Sequence, residues 1–165
     1  RQRRHQNQIK MDTTALNGLV FISGKDIWTE FGAFLTEEKK GGRDNLTSIM
    51  APSKVKSHVG VNIREHDGTK YSGKLDVKNE ERDVTLHFAI FAGTRNEWLI
   101  RYRSFITFLK TGENGWLSVR LPELGLTMRM FYVDCPGYKP LTYLHNEGVQ
   151  ASRFKVKFRE PVPSF

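Results

Sequence analysis

Hydrophobic and polar residues alternate most regularly in two segments of this chain, residues 83–91 and residues 152–159. In the first segment, alternate positions form an apolar face, namely Val84, Leu86, Phe88 and Ile90. In the second, one face is apolar and the other cationic: Phe154, Val156 and Phe158 against Arg153, Lys155, Lys157 and Arg159. Because successive side chains of a β-strand point to opposite faces, both segments are predicted to be strands with one buried face.

The hydrophobic period changes to that of a helix after residue 94. Apolar side chains then recur three and four residues apart, at Trp98, Leu99, Tyr102, Phe105, Ile106 and Leu109. Thr94 and Glu97 form a capping-box pattern, and Gly112 stands where a helix would stop. The pattern predicts an amphipathic helix over residues 95–110. The Thr94 hydroxyl should accept a hydrogen bond from the Glu97 amide. Five residues should be mostly buried against the strand around Phe88: Trp98, Tyr102, Phe105, Ile106 and Leu109.

Shorter signals complete the first half of the chain. Residues 19–22 are an apolar strand candidate, and "KDIWTEFG" fits one helical turn or a tight loop ending at Gly32. The following "AFLTEEKKGGRDNLTS" begins apolar and becomes a charged loop. Residues 49–79 are weakly patterned. There the turn signal "HDG" predicts a hairpin between residues 59–64 and 70–77.

In the second half, residues 116–121 and 126–134 predict a hairpin, with Pro122 and Gly125 in its turn. "CPGYKP" predicts a second break. The predicted fold is therefore mainly β (α+β), with β-sandwich or barrel-like sheets and one flanking amphipathic helix. A length of 165 residues suits one domain, which we place at residues 12–165.

The net charge of +8 is unevenly distributed. Residues 1–10 contain four cations and no acid, so the rest of the chain carries 8 − 4 = +4. Residues 1–11 are predicted to be a basic tail, either a disordered peptide or a remnant preceding Met11. No apolar segment follows this basic start, and no apolar run approaches the roughly 20 residues of a membrane span. Neither a signal peptide nor a membrane partner is expected.

Motifs that carry chemistry are weak throughout. The five histidines and the single cysteine, Cys135, show no zinc-ligand spacing, and one cysteine excludes an intramolecular disulfide. A dyad of Cys135 with His58 or His145 has no local support, and the carboxylates of "GKLDVKNEERD" fit a solvated loop. The glycine-rich segments lack phosphate-loop frames. We expect no metal, no cofactor and no enzymatic activity.

The cations of residues 153–159 are the best candidate for contact with another molecule. Alternation places all four on one strand face, which could contact a nucleic-acid backbone or remain solvated. No RNP-like pattern places aromatic residues among the cations on that face, since Phe154 and Phe158 belong to the opposite, apolar face. A basic nucleic-acid-binding β domain, with direct DNA binding, is therefore kept as an alternative function.

Five segments in order resemble the distal tail proteins of long-tailed phages, which join the tail tube to the baseplate hub. These are "FISGKDIWTEFGAFLTE", "GGRDNL", "ERDVTLHFAIFAG", "TRNEWLIRYRSFITFL" and "GENGWLSVRLPELGLTMRMFYVD". The resemblance spans residues 18–134, with residues 49–79 a poor match. It rests on hydrophobic pattern and glycines. The chain is shorter than many distal tail proteins, which carry a second C-terminal domain, and this leaves open a simple tube-like ring protein rather than a full hub.

The resemblance implies a structural component of a phage or prophage tail. Such a protein would form a ring at the junction of tail tube and baseplate, commonly a hexamer, with itself and other tail or baseplate proteins as partners. It would be assembled in the cytoplasm of the bacterial host. We predict contacts at the loops 37–45 and 66–73 and at the outer face of residues 153–159. The candidate interface residues are Arg43, Asp44, Asp67, Lys70, Arg153, Lys155, Lys157 and Arg159.

Overall fold

A computed structural model describes residues 16–143 and 148–165 of the chain. The predicted basic tail lies outside these residues. The described residues form one antiparallel seven-stranded sheet in the order β2-β1-β5-β6-β7-β4-β3. Its strands are β1 Phe21–Ile22, β2 Lys25–Asp26, β3 Ala33–Leu35, β4 Arg82–Ala92, β5 Leu117–Leu121, β6 Leu126–Pro140 and β7 Gln150–Glu160. Three helices accompany them: α1 Ile27–Phe31, α2 Asp44–Met50 and α3 Arg95–Thr111.

The sheet is curled into a half-barrel because its two edge strands are close in sequence. β2 and β3 lie at opposite edges of the sheet, yet only α1 and Gly32 separate them. Seven flat strands would be roughly 29 Å wide at about 4.8 Å per strand pair. Five helical residues advance only about 7.5 Å. The edges can therefore meet α1 only if the sheet curls, which confirms the barrel-like form of the predicted mainly β fold.

The centre of the sheet is the pair formed by β4 and β7, the two strands with the clearest alternation. They pair antiparallel over their full lengths, with Leu86 opposite Val156 and Phe88 opposite Phe154. Phe88, Phe158 and their apolar neighbours in the same phase are buried. The alternation in the sequence thus identified the inner face of both strands correctly.

Helix α3 packs on this inner face. The Thr94 hydroxyl accepts a hydrogen bond from the Glu97 amide at 3.2 Å, so the predicted cap is confirmed. The ring of Phe105 lies 5.2 Å from that of Phe88, and Phe105 and Leu109 are fully buried. Trp98, Tyr102 and Ile106 are half-buried, whereas Leu99 is exposed. The residues predicted to be buried, which did not include Leu99, are thus the ones that α3 turns inward.

Helix α1 is the helical turn predicted from "KDIWTEFG". Asp26 caps it by accepting a hydrogen bond from the Trp28 amide at 3.1 Å, and the helix ends at Gly32. Phe31 packs against Phe105 and Phe108 of α3 with ring centroids 5.3 and 5.2 Å apart. α1 therefore joins the two sheet edges to the helix on the inner face.

Helix α2 was not predicted, because its residues fell in the expected charged loop. It covers the edge of β4 beyond the short β3. Asn45 Oδ1 accepts a hydrogen bond from the His87 amide at 2.6 Å, and Ser48 Oγ accepts one from the Thr85 amide at 2.8 Å. These side chains satisfy donors that an edge strand would otherwise leave unpaired.

Two further predictions need correction. "CPGYKP" does not end regular structure: β6 continues to Pro140, with register shifts against β7 between Tyr132 and Gly137. The hairpin predicted around "HDG" is not a strand ladder. One antiparallel bridge joins Val61 to Lys70, in the predicted place, and residues 62–69 form no strand.

We call residues 51–81 the arm. Near its base, the Lys56 amide donates to the Lys78 carbonyl at 2.8 Å, and the Glu80 amide donates to the Lys54 carbonyl at 2.6 Å. The two segments of the arm, before and after its turn, thus run antiparallel with few hydrogen bonds between them.

Candidate interface surfaces

The predicted row of cations on β7 exists, but half of it is neutralised within the chain. Lys157 Nζ lies 3.3 Å from Asp83 Oδ2, and Arg159 Nε lies 2.9 Å from Asp83 Oδ1. Arg159 also lies 3.9 Å from Glu81. All four side chains are half-buried, because β7 lies between β6 and β4.

The other half of the row lacks such partners. Lys155 forms no ion pair among the described residues, and it faces His87 on β4 and Gly137 on β6 in the sheet register. Arg153 Nη1 donates to the backbone carbonyls of Glu37 and Glu38 at 3.0 and 3.3 Å. These bonds leave the guanidinium charge without a carboxylate partner.

Arg153 therefore joins two of the three predicted contact regions. The loop 37–45 approaches the outer face of β7 through these carbonyls. Within that loop, Arg43 is exposed at the start of α2, and its Nη1 donates to the Gly41 carbonyl at 3.3 Å. Asp44 is also exposed, and its amide donates to Glu37 Oε2 at 2.6 Å.

The third region, residues 66–73, lies near the end of the arm. Asp67 and Lys70 are exposed, and Lys70 exchanges two backbone hydrogen bonds of 2.8 Å with Val61. Within the described residues, no hydrogen bond or ion pair joins this region to the loop 37–45 or to β7. The predicted interface residues thus fall on two separate surfaces.

A cavity of about 240 Å³ lies where the loop 37–45 meets the outer face. β7 contributes Arg153 and Lys155, and β6 contributes Lys139 from the segment after its register shifts. His87 and Glu38 also line it. Three positively charged side chains therefore share one concavity with a single carboxylate, that of Glu38, among the described residues that line it. The sequence did not place Lys139 here, because the segment "CPGYKP" was predicted as a break.

A second, apolar cavity of about 310 Å³ lies between the two edges of the half-barrel. Its lining includes Leu19, Leu35, Leu46 and Leu124. Its polar lining residues include Glu37, Asn45 and Glu123.

Groups with catalytic potential are not assembled in the described part of the chain. No three His, Cys, Asp or Glu side chains come together there as metal ligands. Burial raises the pKa of the Cys135 thiol, and its Sγ contacts the Gly137 carbonyl at 3.7 Å rather than a histidine. His145 lies outside the described residues. No helix in the described ranges is long and apolar enough to cross a membrane.

The half-barrel, with α3 on its inner face and α1 joining its edges, has a counterpart among solved structures. The fold is similar to that of SPP1 Dit. SPP1 Dit (gp 19.1), whose crystal structure is known, is described as a paradigm of the hub adsorption apparatus in phages that infect Gram-positive bacteria. The TM-score is 0.50 at 10% sequence identity, and the match covers 84% of this chain.

This chain matches only 48% of the length of SPP1 Dit. The likeness therefore concerns the fold of about half of that protein. No family model matches the sequence, and a search of curated proteins finds no match. The structural similarity agrees with the tail-protein resemblance of the sequence at the level of fold.

Proposed function

We propose that this protein is a structural component of a phage or prophage tail, forming a ring at the junction of tail tube and baseplate. The observation that supports the proposal is the fold shared with SPP1 Dit. In this role the protein acts in the virion tail after assembly in the host cytoplasm. Its partners are copies of itself and other tail or baseplate proteins. It needs no catalytic activity, because its product is the shape of the assembly.

The arm is the segment best suited to contact a neighbouring subunit. Val59 is 92% exposed, and Val61, Val77, Tyr71 and Leu75 are exposed with it. The hydrogen bonds between its two segments are few, so much of its backbone can pair with another chain. Exposed apolar side chains beside unpaired backbone favour association with another surface.

A closed ring would give every arm the same environment. In a heterologous ring, one surface of each subunit contacts a different surface of the next, and closure leaves no surface unpaired. Within the described residues, no hydrogen bond or ion pair joins residues 66–73 of the arm to the loop 37–45, so each is available to a different neighbour. We therefore propose that the arm of one copy contacts the body of the next.

Light scattering after size exclusion tests self-association, and negative-stain microscopy shows whether the particles are rings. The informative variant is Val59→Asp, which places a charge in the arm. The matched control is Val162→Asp, since Val162 is 89% exposed but lies beyond β7. We expect Val59→Asp to dissociate the particle and Val162→Asp to leave it intact. A monomeric wild-type protein at high concentration, or equal behaviour of the two variants, would contradict the proposal.

A further inference from the structure

The ion pairs of β7 divide the cationic row into two parts with different properties. Lys157 and Arg159 are held by Asp83, so their charges are compensated within the molecule. Lys155 and Arg153 are not compensated by any carboxylate contact in the described residues. The uncompensated part coincides with the 240 Å³ cavity, which we call the cationic pocket.

The backbone of β6 shapes this pocket at Gly137. A Cβ atom on Gly137 would lie 2.7 Å from Cε and 3.1 Å from Cγ of Lys155. The Lys155 stem therefore runs directly over the glycine, which sets the path of the side chain toward its ammonium group. The φ angle of Gly137 is outside the left-handed region, so the absence of a side chain matters here for space and not for backbone strain.

Arg153 supplies a second reason to expect a ligand. Its Nη1 is used by the loop carbonyls, while its Nε is buried without a hydrogen-bond partner. A buried donor that lacks a partner is destabilising, so the Arg153 guanidinium has unused hydrogen-bonding capacity beside the pocket. Lys139 lies opposite Arg153 in the sheet register and lines the same cavity.

We propose that the cationic pocket binds carboxylate side chains of an acidic segment on a neighbouring tail protein. Charge-assisted hydrogen bonds from Lys155, Arg153 and Lys139 would hold them. The proposal rests on the proposed tail function for the identity of the partner, and on the geometry of the pocket for its chemistry.

Two features favour an acidic protein segment over a nucleic acid. A nucleic-acid backbone needs a series of cations that follows its phosphates, and Asp83 interrupts such a series at Lys157. The pocket is also a local concavity of about 240 Å³ rather than a groove along the strand. Binding there requires a short protruding acidic side chain rather than a continuous charged strand.

The test is an NMR titration of the full chain with an end-blocked tri-glutamate peptide, followed at the His87 imidazole. Lys155→Gln should weaken peptide binding about tenfold, because a hydrogen bond to a charged group is lost. The matched control is Lys157→Gln, on the same face of the same strand, with its ammonium already paired to Asp83. It should bind the peptide as the wild type does.

Gly137→Ala changes the position of the ammonium and keeps its charge. Its new methyl group must displace the Lys155 stem, so it should also weaken the binding of tri-glutamate. Circular dichroism and urea unfolding establish that each variant is folded. If Lys155→Gln does not fold, Gly137→Ala still decides the proposal.

Three results would overturn the proposal. The wild type fails to bind the peptide at millimolar concentration, Lys155→Gln and Lys157→Gln weaken binding equally, or a short oligothymidylate binds more tightly with the same dependence on Lys155. Peptide binding is measured independently of self-association. A protein that forms no ring but binds tri-glutamate through Lys155 would contradict only the ring. A ring whose pocket ignores the peptide would contradict only the pocket.

Discussion

Lys157 Nζ lies 3.3 Å from Asp83 Oδ2, across the pair of strands β7 and β4 at the centre of the sheet. Asp83 Oδ1 receives a second bond, of 2.9 Å, from Arg159 Nε. The hydrogen bond from Arg159 is the largest of the effects on the pKa of the Asp83 carboxyl. Together with Lys157 it holds this pKa below its usual 3.8, although desolvation acts in the opposite direction. One acidic residue on β4 therefore organises two cations of β7.

Replacement of Asp83 by Asn should lower the free energy of unfolding at neutral pH. The folded-state pKa is lower than the unfolded one, so the ionised carboxylate contributes stability above pH 3.8 that is lost as the pH falls through the folded-state pKa. The Asp83 side chain is 36% exposed, so solvent screening limits the effect to less than about 1 kcal/mol.

Urea unfolding at neutral pH and near the folded-state pKa measures this effect. The difference between wild type and Asp83→Asn should shrink on acidification. Asp76→Asn is the control, since Asp76 is largely exposed and its contact with Lys78 is 3.7 Å long. A pH-independent difference, or an equal effect at Asp76, would contradict the assignment.

The central strands and α3 could be predicted because their signals are local and repeated. Residues 83–91 of β4 and 152–159 of β7 alternate in the sequence, and α3 carries its own cap at Thr94 and stop at Gly112. α2 could not be predicted, because its start depends on distant groups. Arg43 provides no side-chain cap, and the Asp44 amide instead uses the Glu37 carboxylate.

Asn45 should be the most important side chain of α2. It is buried, its Oδ1 serves the His87 amide at 2.6 Å, and its Nδ2 donates to the Thr36 carbonyl at 2.7 Å. Asn45→Ala leaves both backbone groups without these partners and should cost about 2 kcal/mol of unfolding free energy. Urea unfolding measures the loss, with Asn96→Ala as the control because Asn96 is exposed on α3. Equal losses at the two positions would show that Asn45 does not protect the β4 edge.

The cationic pocket could not be predicted from the sequence for a similar reason. The alternation of residues 153–159 identified the cationic face, but the partners of these cations come from other strands. Asp83 could have been anticipated, since it shares the outer phase of β4 with Thr85 and His87. Lys139 could not, because the register shifts of β6 around Pro136 and Gly137 obscure the phase that brings it beside Arg153.

Two glycines with positive φ should respond differently to alanine. Gly112 has φ +44° with ψ −138°, and Gly125 has φ +63°, so the backbone strains an alanine at both positions. A Cβ atom at Gly112 would also collide with the Trp116 carbonyl, whereas a Cβ atom at Gly125 would have no atom within 4 Å. Gly112→Ala should therefore lower the melting temperature clearly more than Gly125→Ala. Equal shifts in calorimetry would contradict the close approach after α3.

The buried pair of Arg82 and Glu160 offers the sharpest test of the fold. Both side chains are almost fully buried, and Arg82 Nη2 lies 3.3 Å from Glu160 Oε2. Arg82 Nη1 also donates to the carbonyls of Ile49 and Ala51 at 2.8 and 2.6 Å, where the arm leaves α2. In the sequence, each of these charged residues occupies a position that the alternation assigns to the inner, apolar face of its strand. In the sheet, the two residues lie opposite each other on β4 and β7.

Arg82→Met should cost about 3–5 kcal/mol, because it leaves the Glu160 carboxylate buried without a cation. Glu160→Leu should be destabilising in the same way, since it leaves the guanidinium unpaired. The double variant should recover much of either loss, because no buried charge remains, although the bonds to the carbonyls and to Met128 and the contact with the Phe165 ring are missing. A double-mutant cycle in urea unfolding measures this coupling directly. Additive losses would show that the two charges do not depend on each other, and that the carbonyl bonds at the base of the arm are the main role of Arg82.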